Sequence, residues 1–191
     1  MAAARLTGIL LVGGASTRFG SPKALARFEG ESLAERAWRT LGEVSAERIA
    51  VGKRSDSLPL PFDLADDGSE VRAALIGIVA GLRAARTEGV IVLPVDMPLV
   101  RGEDLRRLVD ACADAAVPKD TRPLPCALRR RALPALEARL GGRNLALRDA
   151  FAALDTRVVQ LDERRLINVN TTRDLAGLSA SCDSSYRTVT S

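Results

Sequence analysis

The sequence predicts a single α/β domain built on a mostly parallel sheet. Strand-like and helix-like segments alternate along its 191 residues, the pattern of strands joined by helical crossovers. Leu6 to Val12 is a short apolar run containing one glycine and ended by Gly13-Gly14, which reads as a buried first strand. Val90 to Val95 is the most strand-like run in the chain, and its composition suits burial on both faces, as in a parallel sheet.

The remaining elements follow in order. Ser32 to Val44 places Leu33, Ala37, Trp38 and Leu41 at helical spacing, predicting a helix with one apolar face. Arg48 to Val51 is a second strand, with Gly52 starting its exit loop. Residues 53–70 are rich in Ser, Pro, Asp and Gly and read mostly as loop, with a short strand near Phe62 to Leu64. Val71 to Ala85 is helical, with Gly77 and Gly81 on one face, which fits close packing against a strand. A helix with Glu103 and Asp104 near its start follows Asp96-Met97-Pro98. Asp114 to Pro118 and Leu124 to Leu128 are strand-like. Leu133 to Leu140 and Asn144 to Leu154 are helix-like, separated by Gly141-Gly142. Val158 to Leu161 and Ile167 to Val169 are short apolar runs expected to be strands, and Thr171 or Thr172 caps a last helix of two turns. From Ser179 the chain is rich in Ser and Thr, so the expected organisation is a domain over residues 1–178 and a polar, disordered tail over 179–191.

Composition removes several classes of function. One Trp, one Tyr and four Phe are too few for a base-stacking nucleic-acid surface, and a net charge of +4 suits an anionic small molecule better than a polynucleotide. Histidine is absent, which rules out histidine triads, histidine-ligated zinc and a histidine general base. Cys112, Cys126 and Cys182 are odd in number and lack metal-ligand spacing, so reduced thiols in a cytoplasmic protein are expected. No apolar run reaches membrane-spanning length and the N-terminal residues lack the long apolar segment of a signal peptide, so neither membrane nor nucleic acid is an expected partner. Arg129-Arg130-Arg131 is either a solvated helix start or a substrate contact.

Three constellations carry chemistry. Gly13 and Gly14 begin a loop running through Arg18 and Lys23. Its glycines let backbone amides approach an anion, and the two cations suit a triphosphate or a pyrophosphate leaving group. It is neither a Walker A loop nor G-x-G-x-x-G; the alternative is a plain strand-to-helix turn with exposed basic residues. Asp96, emerging from a buried strand, suits a Mg²⁺ ion, which keeps waters and shares one or two carboxylates with substrate phosphates; the alternative is a turn or helix-capping aspartate. Asn168 and Asn170 alternate across Val169 and so project to one side of an extended segment, where they either orient a phosphate or metal or serve as a helix cap. Asp66 and Asp67 are candidate contacts to a base or ribose, or ordinary surface-loop residues.

In that order, GILLVGGASTRFGSPKAL, ALIGIVAGL, LPVDMPLV, RPLPCALRRRALPALEARL and INVNTTRDL span roughly residues 6 to 178. Together they resemble the molybdenum cofactor guanylyltransferases within the MobA-like NTP transferases. The resemblance implies a Rossmann-like three-layer domain of the nucleotidyltransferase type that joins GMP from GTP to the phosphate of molybdopterin cofactor and releases pyrophosphate. It implies that Leu11, Val12 and Gly13 cradle the nucleotide, that Lys23 meets the phosphates with Arg18 nearby, and that Asp96 binds Mg²⁺. It further implies that Asp66 or Asp67 contacts the nucleoside, Asp66 fitting the family spacing to Gly77 slightly better, and that Asn168 and Asn170 lie near the reaction centre or acceptor. A monomer or weak homo-oligomer is expected. The chain departs from the family pattern at Pro22, where Asp often precedes the lysine, at Ala73-Ala74, where Gly-Pro is common, and at Gly52, where Asn can stand. These departures bear on guanine selectivity and leave open a cytidylyltransferase, another phosphorylated acceptor, or a non-catalytic nucleotide-binding module.

Overall fold

The computed structural model describes residues 6–13, 19, 22–119, 123–142 and 144–178. In chain order, β1 (Leu6–Leu11) is followed by a small hairpin of β2 (Arg27–Phe28) and β3 (Glu31–Ser32), then by α1 (Leu33–Gly42), β4 (Glu47–Gly52), β5 (Leu64–Asp66) and α2 (Ala74–Ala84). The chain continues through β6 (Gly89–Pro94), α3 (Gly102–Ala111), β7 (Ala115–Pro118), β8 (Cys126–Arg129), α4 (Leu133–Gly141), α5 (Leu147–Ala152) and β9 (Thr156–Val159). Residues 172–178 are helical. The residues from Ser179 onward, expected to form a tail, lie outside the described residues.

Among the described residues, one sheet of seven strands has the order β5-β4-β1-β6-β8-β7-β9. β1 pairs in parallel with β4 on one side and β6 on the other, and β8 runs antiparallel to both of its neighbours. The mostly parallel sheet expected from the apolar runs is therefore present. Alternation along the central strands sorts their side chains into two cores. Leu10, Ile91 and Leu93 meet Leu33 and Leu41 of α1 and Leu105 and Leu108 of α3. Ile9, Leu11, Val90 and Val92 meet Leu75, Ile78 and Leu82 of α2, Leu136 of α4 and Phe151 of α5. The sheet is covered on both faces, giving three layers. Thr7, the polar residue of β1, is satisfied by Thr87, their hydroxyl oxygens lying 2.7 Å apart.

Local chemistry sets the helix starts. Ser32 Oγ accepts from the Glu35 N–H, and Glu35 Oε2 accepts from the Ser32 N–H, a reciprocal capping box that begins α1. Asp104 Oδ2 accepts from the Arg101 N–H at the start of α3. Thr171 and Asp174 exchange the same pair of bonds before the last helical stretch, so Thr171 is its cap.

Three details differ from the sequence reading. The segment Ile167 to Val169 is not a strand; its backbone tie to the rest of the fold is the Val169 N–H bond to the Asp96 carbonyl. The helix expected from Asn144 begins at Leu147, because the Asn144 side-chain Oδ1 accepts from the Ala146 N–H and forms a turn first. The β2–β3 hairpin was not anticipated. Its turn residues Glu29 and Gly30 have φ of +49° and +89°, the left-handed pair that a two-residue hairpin requires.

Gly77 and Gly81 let α2 lie close on β1. A Cβ on Gly81 would fall 2.6 Å from Ile9 Cδ1, and one on Gly77 would fall 3.0 Å from Leu11 Cδ2. Overpacking of this kind costs about 1–3 kcal/mol, whereas relief of the glycine helix penalty returns at most about 1 kcal/mol. Gly81→Val is therefore expected to lower stability, read as an earlier urea midpoint; an unchanged midpoint would show that α2 does not pack this closely.

Candidate functional site

The chain leaves β1 for β4 on one side and returns past β1 to β6 on the other, so the strand order reverses between β1 and β6. Crevices outside the carboxyl ends of strands at such a reversal are where open α/β sheets bind ligands. Here the edge is tied together by backbone bonds. The Asp67 N–H donates to the Gly52 carbonyl (3.0 Å), Val12 to Val51 (2.9 Å), Val95 to Leu11 (3.0 Å) and Val169 to Asp96 (2.8 Å). Sheet-like pairing thus continues past the strand ends and fixes the residues that enter the loops.

Above this edge lies a cleft of about 580 Å³, a size suited to a nucleotide-sized ligand. Its floor includes Leu11, Val12, Gly13, Val51 and Gly52. Among the described residues, a Cβ built on Gly13 would meet only Gly52 Cα, at 3.9 Å, so two glycines face each other there. One wall carries Lys53, Asp67, Arg72, Ala73, Ala74 and Gly77. The other carries Pro123, Leu124 and the run Ala146 to Asp149.

Lys23, Asp96 and the asparagine segment converge at the strand-order reversal. Lys23 opens a 3-10 turn after Pro22. Its Nζ lies 3.3 Å from Asp96 Oδ2 and donates to Asn170 Oδ1 at 3.4 Å. Asp96 sits two residues beyond β6, and its other oxygen, Oδ1, is buried without a hydrogen-bond partner among the described residues. A buried carboxylate oxygen of that kind is costly unless a ligand or ion meets it. Among the described residues, no three of His, Cys, Asp and Glu gather as a metal cluster. The donor set therefore fits a hard cation that takes one protein carboxylate and draws its other oxygens from phosphates and water, as Mg²⁺ does.

Asn168 lines the cleft, and Asn170 reaches it through Lys23. Their loop is held by Asp174, whose Oδ2 accepts the N–H groups of Asn170 (2.8 Å) and Thr171 (2.9 Å). The Asn170 N–H first, and Thr171 next, hold the Asp174 carboxyl below the ordinary carboxylate range.

The adjacent aspartates separate. Asp66, the last residue of β5, is exposed and accepts from the backbone N–H groups of Gly68 and Arg54, which lower its pKa in that order. Asp67 lines the cleft, and its Oδ1 lies 2.7 Å from Lys53 Nζ. Lys53, Arg72 and Arg148 are cleft residues that the sequence reading did not single out. The available signal for Lys53 was its position immediately after the second strand, at the ligand-binding edge. Gly14 and Arg18 lie outside the described residues. Arg129, Arg130 and Arg131 do not line the cleft: Arg129 pairs with Gly89 at the opposite edge of the sheet, and Arg131 is exposed and pairs with Asp114, 2.6 Å away. Cys126 is fully buried in β8 and its thiol pKa is pushed up by desolvation.

No helix among the described residues is long and apolar enough to cross a membrane. Residues 8–158 match the model of the MobA-like NTP transferase domain. The molybdenum cofactor guanylyltransferase of Burkholderia ambifaria is 31% identical, with 91% of this chain and 95% of that protein covered. The probable molybdenum cofactor guanylyltransferase of Bacillus subtilis is 30% identical, covering 94% and 97%. The crystal structure of molybdopterin-guanine dinucleotide biosynthesis protein A from Archaeoglobus fulgidus superposes with a TM-score of 0.78 over 93% of this chain and 99% of that one. At 23% identity, that likeness is one of fold. With the family match covering most of the chain and the cleft lying where such a sheet binds its ligand, this chain belongs to the MobA-like NTP transferases.

Proposed function

We propose that the protein transfers GMP from GTP to the phosphate of molybdopterin cofactor and releases pyrophosphate, using Mg²⁺ held at Asp96. The observation that carries this reading is the pairing of Lys23 with one oxygen of Asp96 while the other oxygen is buried without a partner among the described residues. The choice of base and acceptor is supported by the names of relatives about 30% identical over more than nine-tenths of the chain.

In the reaction, an oxygen of the acceptor phosphate attacks the α-phosphorus of GTP. The new phosphoanhydride bond forms as the bond from the α-phosphorus to the α,β-bridging oxygen breaks, and pyrophosphate leaves with that oxygen. A phosphate monoester is largely ionised at neutral pH, its second pKa being about 6, so the absence of histidine is no obstacle. The catalytic demand is positioning and charge neutralisation. Lys23 meets the negative charge of the triphosphate, and Asn170 restrains its ammonium. Asn168 offers an amide to the phosphates or the acceptor. The backbone of Leu11, Val12 and Gly13 forms the cradle, and Gly14 and Arg18, which follow in the sequence, are assigned to the phosphates. Asp67, being the cleft-lining aspartate, takes the nucleoside-side role in place of Asp66. Bound Mg²⁺ supplies positive charge to the phosphate oxygens.

Lys23→Ala and Asp96→Asn are each expected to lower GTP-dependent pyrophosphate release by about 10²–10³-fold, the usual loss on removing one preorganised charge-stabilising group, while circular dichroism stays native. Full activity in either variant would remove that residue from the assigned role.

Base preference is read by thermal stabilisation with GTP, CTP, ATP and UTP, each with Mg²⁺. A ligand at a hundred times its Kd adds about 2.7 kcal/mol, which for a chain of this size raises Tm by about 5–10 °C. GTP is expected to give the largest shift. A larger shift with CTP would reassign the protein as a cytidylyltransferase.

A further inference from the structure

We infer that Lys53 is a positioning residue that builds the nucleoside end of the cleft, by folding residues 67–71 around its ammonium group. The inference rests on the nucleotidyltransferase reading above and adds to it a cleft residue to which that reading gives no role.

Lys53 directly follows β4 and is only 6% exposed, the one buried lysine among the described residues. Its Nζ donates to Asp67 Oδ1 at 2.7 Å, to the Val71 carbonyl at 2.8 Å and to the Ser69 carbonyl. An ammonium group has three N–H bonds, and these three acceptors use them all. Lys53 therefore has no donor left for a phosphate or a base, although it lines the same cleft as Lys23. Its effect on a ligand passes through the loop that it holds.

Beyond short-range bonds, from the Gly68 N–H to Asp66 Oδ1 and from the Val71 N–H to Ser69 Oγ, that loop has little else to hold it. Apart from the Asp67 side chain, none of residues 67–73 is buried; Val71 is 52% exposed, and Gly68 has φ of +71° with no described atom within 4 Å of a built Cβ. Arg72 pairs with both carboxylate oxygens of Asp56, but at an exposed position, where an ion pair contributes at most about 1 kcal/mol. The Asp67 N–H bond to Gly52 anchors only the start of the loop. The ammonium thus stands in for the apolar anchor that the segment lacks. It also compensates Asp67, whose side chain is 7% exposed and whose Oδ1 accepts from the Ser69 N–H as well. A buried ion pair of this kind is a weak source of stability compared with apolar packing. What it provides here is one arrangement of the wall, with the Asp67 carboxylate oriented before the nucleoside arrives.

The test separates nucleoside binding from phosphate binding. Mg²⁺-GTP and inorganic tripolyphosphate are titrated by calorimetry into the full-length wild type and Lys53→Met, which keeps an unbranched chain one atom shorter and removes all three donors. Ordering the freed loop on binding is expected to weaken GTP by at least about tenfold, with tripolyphosphate changed by less than about twofold. Equal weakening of both ligands would show a general loss of structure and overturn the inference, as would unchanged GTP affinity. If Lys53→Met does not fold because Asp67 is left uncompensated, Lys53→Met/Asp67→Asn removes both charges and is compared with Asp67→Asn alone. The double variant is expected to bind GTP more weakly than the single one, and equal affinity would overturn the inference. A wild type that binds no nucleoside triphosphate would defeat the nucleotidyltransferase reading itself, an outcome distinct from a wild type that binds GTP and variants that match it.

Discussion

The site depends on a run of backbone hydrogen bonds across the carboxyl edge of the sheet. From Asp67 to Gly52, from Val12 to Val51, from Val95 to Leu11 and from Val169 to Asp96, each connection is fastened to its neighbour before it becomes a loop. Side chains carried on free loops would have to be ordered by the ligand, at a cost of about 1–2 kcal/mol for each backbone residue fixed. Here the protein core has already met much of that cost. Burial of Ile9, Leu10, Val90, Val92 and Leu93 on the two sheet faces fixes β1 and β6, and the ladder passes that order on to Gly13, Asp96 and Asn168. The same bonds link the two ends of the cleft, since they run without interruption from the Asp67 loop to the Asn170 segment.

Charge along this edge is divided between two lysine–aspartate pairs with different surroundings. Lys53 and Asp67 are both 7% exposed by side chain and are closed on themselves at 2.7 Å, with the remaining ammonium donors on backbone carbonyls. Lys23 and Asp96 are more open, at 15% and 21%, separated by 3.3 Å, with Asp96 Oδ1 left without a partner among the described residues. The first pair has its hydrogen bonds in place before any ligand binds and shapes a wall. The second retains an unsatisfied oxygen at the point where a metal and phosphates are expected. On the proposed function, two pairs of the same chemical type would serve shape at one end of the cleft and reactivity at the other, and the difference lies in which polar atoms the fold has already satisfied.

Much of this was legible in the sequence because apolar runs locate strand ends. Leu6 to Val12 and Val90 to Val95 put Gly13 and Asp96 at the same edge, and the asparagine pair flagged a segment of which Asn168 lines the cleft and Asn170 accepts from Lys23. What was not legible depended on contacts distant along the chain. Ile167 to Val169 has the composition of a strand, but its hydrogen-bond partner is a single carbonyl in the Asp96 turn. The hairpin at residues 27–32 is two residues per strand, too short for alternation to show, leaving Glu29-Gly30 as its only cue. Asp66 and Asp67 are neighbours of one type, and only the pairing of Asp66 with Gly52 at the end of β5 determines which of them faces the cleft. Lys53 resembles any solvated lysine after a strand until residues 67–71 fold back over it.

The central claim is that a nucleoside triphosphate lies along this edge with its phosphates at Lys23 and Asp96 and its nucleoside against the Lys53–Asp67 wall. The most direct measurement is a crystal structure with the α,β-methylene analogue of GTP and Mn²⁺, using the anomalous signal of the manganese to locate the metal without bias. The account predicts a manganese peak at Asp96 Oδ1, phosphate oxygens in contact with Lys23, and the guanosine between Gly13 and Asp67. An analogue bound with its phosphates against the Lys53 wall, or a manganese peak away from Asp96, would contradict it.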